Sequence, residues 1–340
     1  MKAIRLEEPW RLALFSADEP SASLKPDEVL VRVRRIGVCG TDIHAFNGNQ
    51  PFFSYPRILG HELGVEVTAV GSSSRNVHPG DQCAVEPYLN CGHCIACRSG
   101  KPNCCVSLQV LGVHADGGMR ESMVVPARKL HPSENLKLDQ LALIETLAIG
   151  CHAVERARVE ASEYALVVGA GPIGLTVVQF AIEAGAQVIV LDINRKRLEF
   201  CREKLGAPFS IDAGIENPLE ALKRITGGDL PTVVFDATGN PQSMMAAFKY
   251  PANGGRLVFV GLFQGDVTFN DPEFHRRELT ILASRNARSE DFTRIIGLVE
   301  SGRIDTDPWI THRASFAEVI TEFPRWTRPE TGVLKAVIEV

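Results

Sequence analysis

Glu163-Tyr-Ala-Leu-Val-Val-Gly-Ala-Gly-Pro-Ile-Gly-Leu-Thr-Val-Val-Gln-Phe-Ala-Ile-Glu183 divides into a short apolar run, a glycine turn and a longer apolar pattern. Tyr164 to Val168 is too short and too rich in β-formers for a helix, whereas Leu175, Val178, Ala181 and Ile182 recur at helical spacing. The stretch therefore predicts strand, turn and helix. Gly169, Gly171 and Gly174 fall in a G-x-G-x-x-G pattern. In that pattern the first glycine permits a tight turn, the second lets backbone approach a pyrophosphate and the third lets helix pack close to strand. A second apolar strand, Gln187 to Leu191, ends in Asp192, about twenty residues on, where a carboxylate can take the adenine-ribose hydroxyls. The uncharged run Tyr164 to Ile182 approaches the length of a bilayer span, but glycines and a proline interrupt it and no basic flank orients it.

Outward from this stretch the chain changes character in both directions. From Tyr164 onward, candidate strands Ala165 to Val168, Val188 to Leu191, Thr232 to Phe235, Leu257 to Val260 and Leu279 to Leu282 alternate with helical patterns such as Arg195 to Lys204, which predicts a parallel, doubly wound sheet. Before it, Val29 to Ile36 and Leu63 to Val70 read as short strands between turns, the pattern of a small barrel or sandwich. After Asn286 a helix over Asp291 to Ser301 leads to a closing strand, Leu334 to Val340. The strand Leu257 to Val260 is a candidate edge for self-association.

A chain of 340 residues, 45% hydrophobic and 23% charged, is long enough for two cores. Its net charge of -5 comes without a dense basic cluster, so neither a nucleic acid nor an anionic membrane is an expected partner, and a small molecule is. Met1-Lys-Ala-Ile-Arg-Leu-Glu-Glu-Pro9 lacks the apolar core of a signal peptide, which predicts a cytoplasmic, reducing location. The nine cysteines are then candidates for thiolate or metal chemistry before disulfides.

Cys91, Cys94, Cys97 and Cys105, or Cys104 in place of the last, suit a closed tetrahedral zinc site. An iron-sulfur cluster is the rival reading, because the first three have ferredoxin-like spacing, but the last gap is long and Val106, not proline, follows it. A second constellation is more scattered. Cys39 and His61 offer two metal ligands, and Glu62 or the distant Glu145 could complete a site with an open position. Taken singly, each of these residues also has an ordinary structural reading, as a small buried thiol or a satisfied polar group.

Together, Cys39-Gly-Thr-Asp42, Gly60-His-Glu62, the four-cysteine lobe, Gly169-Ala-Gly-Pro-Ile-Gly174 and Asp192 resemble the zinc-containing medium-chain alcohol dehydrogenases over essentially the whole chain. Ala142-Leu-Ile-Glu145, with Leu147 and His152, resembles their polyol dehydrogenase branch, although Thr146 stands where a proline is usual. Gly48-Asn-Gln-Pro-Phe-Phe-Ser-Tyr-Pro56, Gly261-Leu-Phe-Gln-Gly265, Asp271-Pro-Glu-Phe-His275 and Ser284-Arg-Asn-Ala287 resemble most the sugar-acid dehydrogenases that oxidise L-galactonate and L-gulonate.

The resemblance implies an α/β architecture in which a Rossmann domain, residues 152–285, is inserted in a GroES-like, β-rich catalytic domain, residues 1–151 and 286–340, with a structural-zinc lobe over about 88–107. It implies zinc at Cys39, His61 and Glu62 or Glu145, a second zinc at Cys91, Cys94, Cys97 and Cys105, and NAD as cofactor. Cofactor contacts are expected at Gly169, Gly171, Pro172, Ile173, Gly174, Asp192, Arg197, Thr238 and Gly261. Thr41 and His44 are implied as a relay for the hydroxyl proton, a task that suits imidazole because it titrates near neutrality. Arg285 is the residue expected to meet a substrate carboxylate, and Asn49 and Gln50 to meet sugar hydroxyls. A homodimer or homotetramer is the implied assembly. The alternatives are a polyol or other secondary-alcohol dehydrogenase and, from another class, a non-catalytic dinucleotide-binding structural or sensor protein, which would not need the set Cys39, His61, an acidic ligand and Thr41.

Overall fold

The glycine turn joins the strand Tyr164–Val168 to the helix Pro172–Glu183 in a computed structural model that describes residues 1–21, 23–51 and 53–340. Phe52, within one of the stretches that carry the family resemblance, lies outside the described residues, as does Ala22. Gly169 has φ 91, a backbone conformation that disfavours any side chain. At Gly174 an added Cβ would lie 1.7 Å from the carbonyl oxygen of Gly169, so only glycine lets the helix leave the turn this closely.

Two compact units make up the chain: residues Met1–Thr146 with Ala287–Val340, and residues Leu147–Asn286. The second holds a six-stranded parallel sheet in the order Phe209–Asp212, Gln187–Asp192, Tyr164–Val168, Val233–Asp236, Arg256–Phe259 and Thr280–Ala283. This is the Rossmann order, with its reversal between Tyr164–Val168 and Val233–Asp236. Leu166, Val168, Ile189, Leu191, Val234 and Leu257 form its core with Ala221 and Leu222 of the helix Pro218–Thr226. The sheet corrects one expectation. The strand at Leu257 pairs on both sides and is no edge; the edges are Phe209–Asp212 and Thr280–Ala283. Phe209–Asp212 is also a strand that the sequence pattern did not reveal, because it spans four residues and only Ile211 among them is buried.

The first unit is built on a mixed sheet in which Glu28–Val38 pairs with Glu62–Val70, with Ser122–Pro126 and with the C-terminal strand Lys335–Glu339. Val29, Val31 and Val33 alternate inward, and a register irregularity between Val33 and Arg35 then turns Ile36 to the core. Full burial of each such side chain stabilises by about 1.5–3 kcal/mol. The last strand thus joins the N-terminal sheet and not the parallel one. Helix Leu138–Ala157, which carries Glu145, is another element that the sequence pattern left unassigned, because its apolar residues run almost all round and show no single face. No helix among the described residues is long and apolar enough to cross a membrane.

Candidate active site and metal centres

Ligand atoms of Cys39, His61 and Glu62 all lie within 4.8 Å of one another. Three adjoining elements hold them. Cys39 caps the helix Gly40–Phe46, His61 ends the approach to the next strand, and Glu62 begins that strand. Gly37 lies directly across the ladder from Glu62, and a Cβ there would fall 2.1 Å from Glu62 Oε2; the missing side chain makes the space for the carboxylate.

Charge in this cluster is balanced first by Lys335, which the sequence did not single out. Lys335 Nζ donates to Glu62 Oε1 and Oε2 at 2.7 and 2.8 Å and to the hydroxyl of Thr146 at 3.0 Å. Burial works against an ionised Glu62, but Lys335 and His61 outweigh it and hold the carboxyl below its ordinary range. Burial likewise opposes a charged Lys335, and Glu62 with Cys39 raises it nonetheless. The hydroxyl that replaces the usual proline at 146 is therefore an acceptor for this lysine. Asp42 accepts from the backbone N–H of Cys39 at 3.0 Å and stands 3.7 Å from His61 Nδ1. Burial would lower the His61 pKa, yet Asp42 and Cys39 raise it well above the ordinary value. A buried imidazole flanked by a thiol and carboxylates, its Nδ1 without a hydrogen-bond partner, is a donor set suited to a divalent cation. A lysine inside the apolar run Leu334-Lys-Ala-Val-Ile338 was the available signal for Lys335, since a buried lysine requires a partner.

Glu145 is buried beside this cluster but is not one of the converging ligands: its Oε1 accepts from the Tyr88 hydroxyl. Thr41 and His44 lie one turn apart on helix Gly40–Phe46, His44 exposed. Asn49 and Gln50 follow that helix on a loop where the Asn49 N–H donates to the carbonyl of His44 at 2.8 Å.

The second group of converging ligands is Cys91, Cys94, Cys97 and Cys105. Cys104 is exposed and stands outside it, which decides between the two neighbours. Backbone N–H groups of His93 and Cys94 bring the Cys91 thiol down to about 5, so it is readily a thiolate. Asn90 donates to Cys97 Sγ at 3.6 Å and is itself held by Arg128. Elsewhere Cys83 and Cys201 are buried, with thiols pushed up to about 12, and are inert. Among the described residues no cysteine is joined in a disulfide.

In the parallel-sheet unit, Gly171 caps the helix that begins at Pro172, followed by Ile173 and Gly174, and first-turn N–H groups have no intrahelical acceptor, which suits a phosphate. Asp192 accepts from the N–H of Ala170 at 2.5 Å and of Asn194 at 2.7 Å, which fixes its carboxylate at the mouth of the turn. Arg197 brings its guanidinium within 3.8 Å of where a Gly171 Cβ would be, while Arg195 is paired with Asp212 at 2.8 Å. Thr238 packs against Gly169, and Gly261 against Gly239. Arg285 is exposed after the strand Thr280–Ala283.

Residues 25–135 match the model of the alcohol dehydrogenase GroES-like domain and residues 172–301 that of the zinc-binding dehydrogenases. L-galactonate-5-dehydrogenase of Escherichia coli K12 is 43% identical to this chain over 92% of either protein. The chain belongs to the zinc-containing medium-chain alcohol dehydrogenases. Sorbitol dehydrogenase of Bacillus subtilis is 33% identical over 94% of this chain and 92% of that protein. A solved alcohol dehydrogenase, RspB of Escherichia coli CFT073, complexed with NADH, superimposes with a TM-score of 0.92 at 31% identity, covering 100% of this chain and 99% of that one. The protein is thus a zinc-dependent, NAD(P)-dependent dehydrogenase of sugar or polyol alcohols, with a structural site of four cysteines and a catalytic site of cysteine, histidine and glutamate.

Proposed function

We propose that the protein oxidises a secondary hydroxyl of a six-carbon sugar acid, of the L-galactonate or L-gulonate type, at C5 to the ketone, with NAD as hydride acceptor. The observation that carries this reading is the 43% identity, over nearly the full length, to an L-galactonate-5-dehydrogenase. When bound, zinc supplies Lewis acidity toward the substrate hydroxyl and the nicotinamide supplies the hydride acceptor. Cys39, His61 and Glu62 hold the metal, with Glu145 beside it. Thr41 takes the hydroxyl proton and passes it toward His44, whose exposure suits exchange with solvent. Arg285 binds the carboxylate in bidentate fashion, and Asn49 and Gln50 bind hydroxyls. Asp192 accepts from the adenine-ribose hydroxyls and repels a 2′-phosphate. Both ends of the chain form the catalytic domain, and the open strand Thr280–Ala283 supports assembly as a homodimer or homotetramer. Cysteines without disulfides among the described residues support a cytoplasmic setting.

The test compares an aldonate with the matching alditol. Arg285→Ala should reduce kcat/KM on the acid by about tenfold to a hundredfold, the value of a charge-assisted hydrogen bond or two, and much less on the alditol. Equal losses on both would remove Arg285 from carboxylate recognition. A wild type that prefers the alditol would favour the second reading, a polyol dehydrogenase, which the 33% identity to a sorbitol dehydrogenase supports.

A further inference from the structure

Two carboxylates are buried at the catalytic cluster, and the fold treats them differently. Glu62 converges with Cys39 and His61, whereas Glu145, 5% exposed, does not. What engages Glu145 is Tyr88, whose hydroxyl donates to Oε1. Tyr88 is 2% exposed and rigidly seated: its two-residue strand pairs with Gln109–Val110, and its ring meets Phe292 edge-on at 6.4 Å between centroids. A phenol facing a carboxylate is the donor of the pair, which fixes the direction of this bond. Three protein ligands leave a metal position open for chemistry, and a fourth closes it. A carboxylate next to a dication is drawn to that position unless something else holds it.

We propose that Tyr88 is a positioning residue that tethers Glu145 away from the catalytic metal and so keeps one coordination position open to substrate. This rests on the assignment of Cys39, His61 and Glu62 as the metal's protein ligands. The tether lies three residues before Cys91, so the strand that carries it also anchors the structural-zinc lobe.

The experiment replaces the catalytic zinc by cobalt in the full-length protein and follows its visible absorption with and without imidazole as an added ligand. In wild type, imidazole should shift the cobalt bands. Tyr88→Phe should keep its metal, lose the imidazole response and fall about tenfold to a hundredfold in kcat, the range of a lost outer-shell partner. Adding Glu145→Gln to Tyr88→Phe should restore the imidazole response, which a general packing defect would not do. Glu145→Gln alone should leave the cobalt spectrum as in wild type; a changed spectrum would make Glu145 a resident ligand and overturn the proposal, even if Tyr88→Phe does not fold. An unchanged imidazole response in Tyr88→Phe, or loss of its metal, would overturn it too. Failure of the underlying assignment reads differently: Cys39→Ser would then retain the wild-type cobalt bands.

Discussion

Lys335 Nζ sits 2.7 and 2.8 Å from the two carboxylate oxygens of Glu62, and both side chains are buried. The last strand of the chain and the first residue of Glu62–Val70 thus meet at the metal cluster across 273 positions of sequence. Removing one partner of such a pair strands a charge in the interior, which costs more than the pair itself contributes.

Lys335→Met should therefore destabilise the metal-free protein by about 3–5 kcal/mol near neutral pH, measured by denaturant unfolding. The pH dependence has a definite sign. Glu62 is held below its ordinary range, so its contribution is present above the unfolded carboxylate range and lost as pH falls through the folded value. Lys335 is raised, so its contribution is full below the ordinary lysine range and lost only as pH rises through the higher folded value. The gap between wild type and variant should be widest between these limits and narrow toward acid, where Glu62 takes up a proton. A gap that widens in acid would contradict the assignment.

Gly37→Ala places a Cβ 2.1 Å from Glu62 Oε2. The strand cannot recede, because Gly37 is paired on both sides, to Glu62 and to Val337. The expected loss is about 1–3 kcal/mol, as for other overpacked sites, together with faster release of the catalytic metal to a chelator. Normal metal retention would mean that Glu62 turns aside without cost.

Cys97→Ser should lower the zinc content from about two ions per chain to about one, because a tetrahedral thiolate site loses most of its affinity with one ligand. The Asn90 amide that donates to Cys97 Sγ, and the Arg128 that holds Asn90, should then lose their order, seen as faster amide exchange over the lobe. Metal analysis showing both ions retained would refute the four-thiolate assignment.

Wild type should use NAD with higher kcat/KM than NADP, and Asp192→Ala should lose about tenfold to a hundredfold of the NAD efficiency. Arg195 is already committed to Asp212, whereas the Arg197 guanidinium reaches toward Gly171. A wild type that works better with NADP would overturn the role given to Asp192.

The glycine turn, the strand and helix rhythm after Tyr164 and the four-thiolate lobe were legible in the sequence because each is a local pattern: a backbone that needs glycine, a periodicity, a ligand spacing. Cys39, His61 and Glu62 were legible as candidates, although nothing local brings Cys39 to the other two; the pairing of Glu28–Val38 with Glu62–Val70 does that. Three things were decided only by tertiary structure. Whether Cys104 or Cys105 faces the lobe depends on the turn of a single residue after Pro102–Cys104. Which carboxylate converges on Cys39 and His61 depends on the partners, Lys335 for Glu62 and Tyr88 for Glu145, that long-range packing supplies. The sheet edges fell to Phe209–Asp212 and Thr280–Ala283, and not to the strand at Leu257, because strand order is set by crossover connections that hydrophobic pattern does not encode. Local chemistry is written residue by residue, whereas the partner of a buried charge is chosen by the fold that desolvates it.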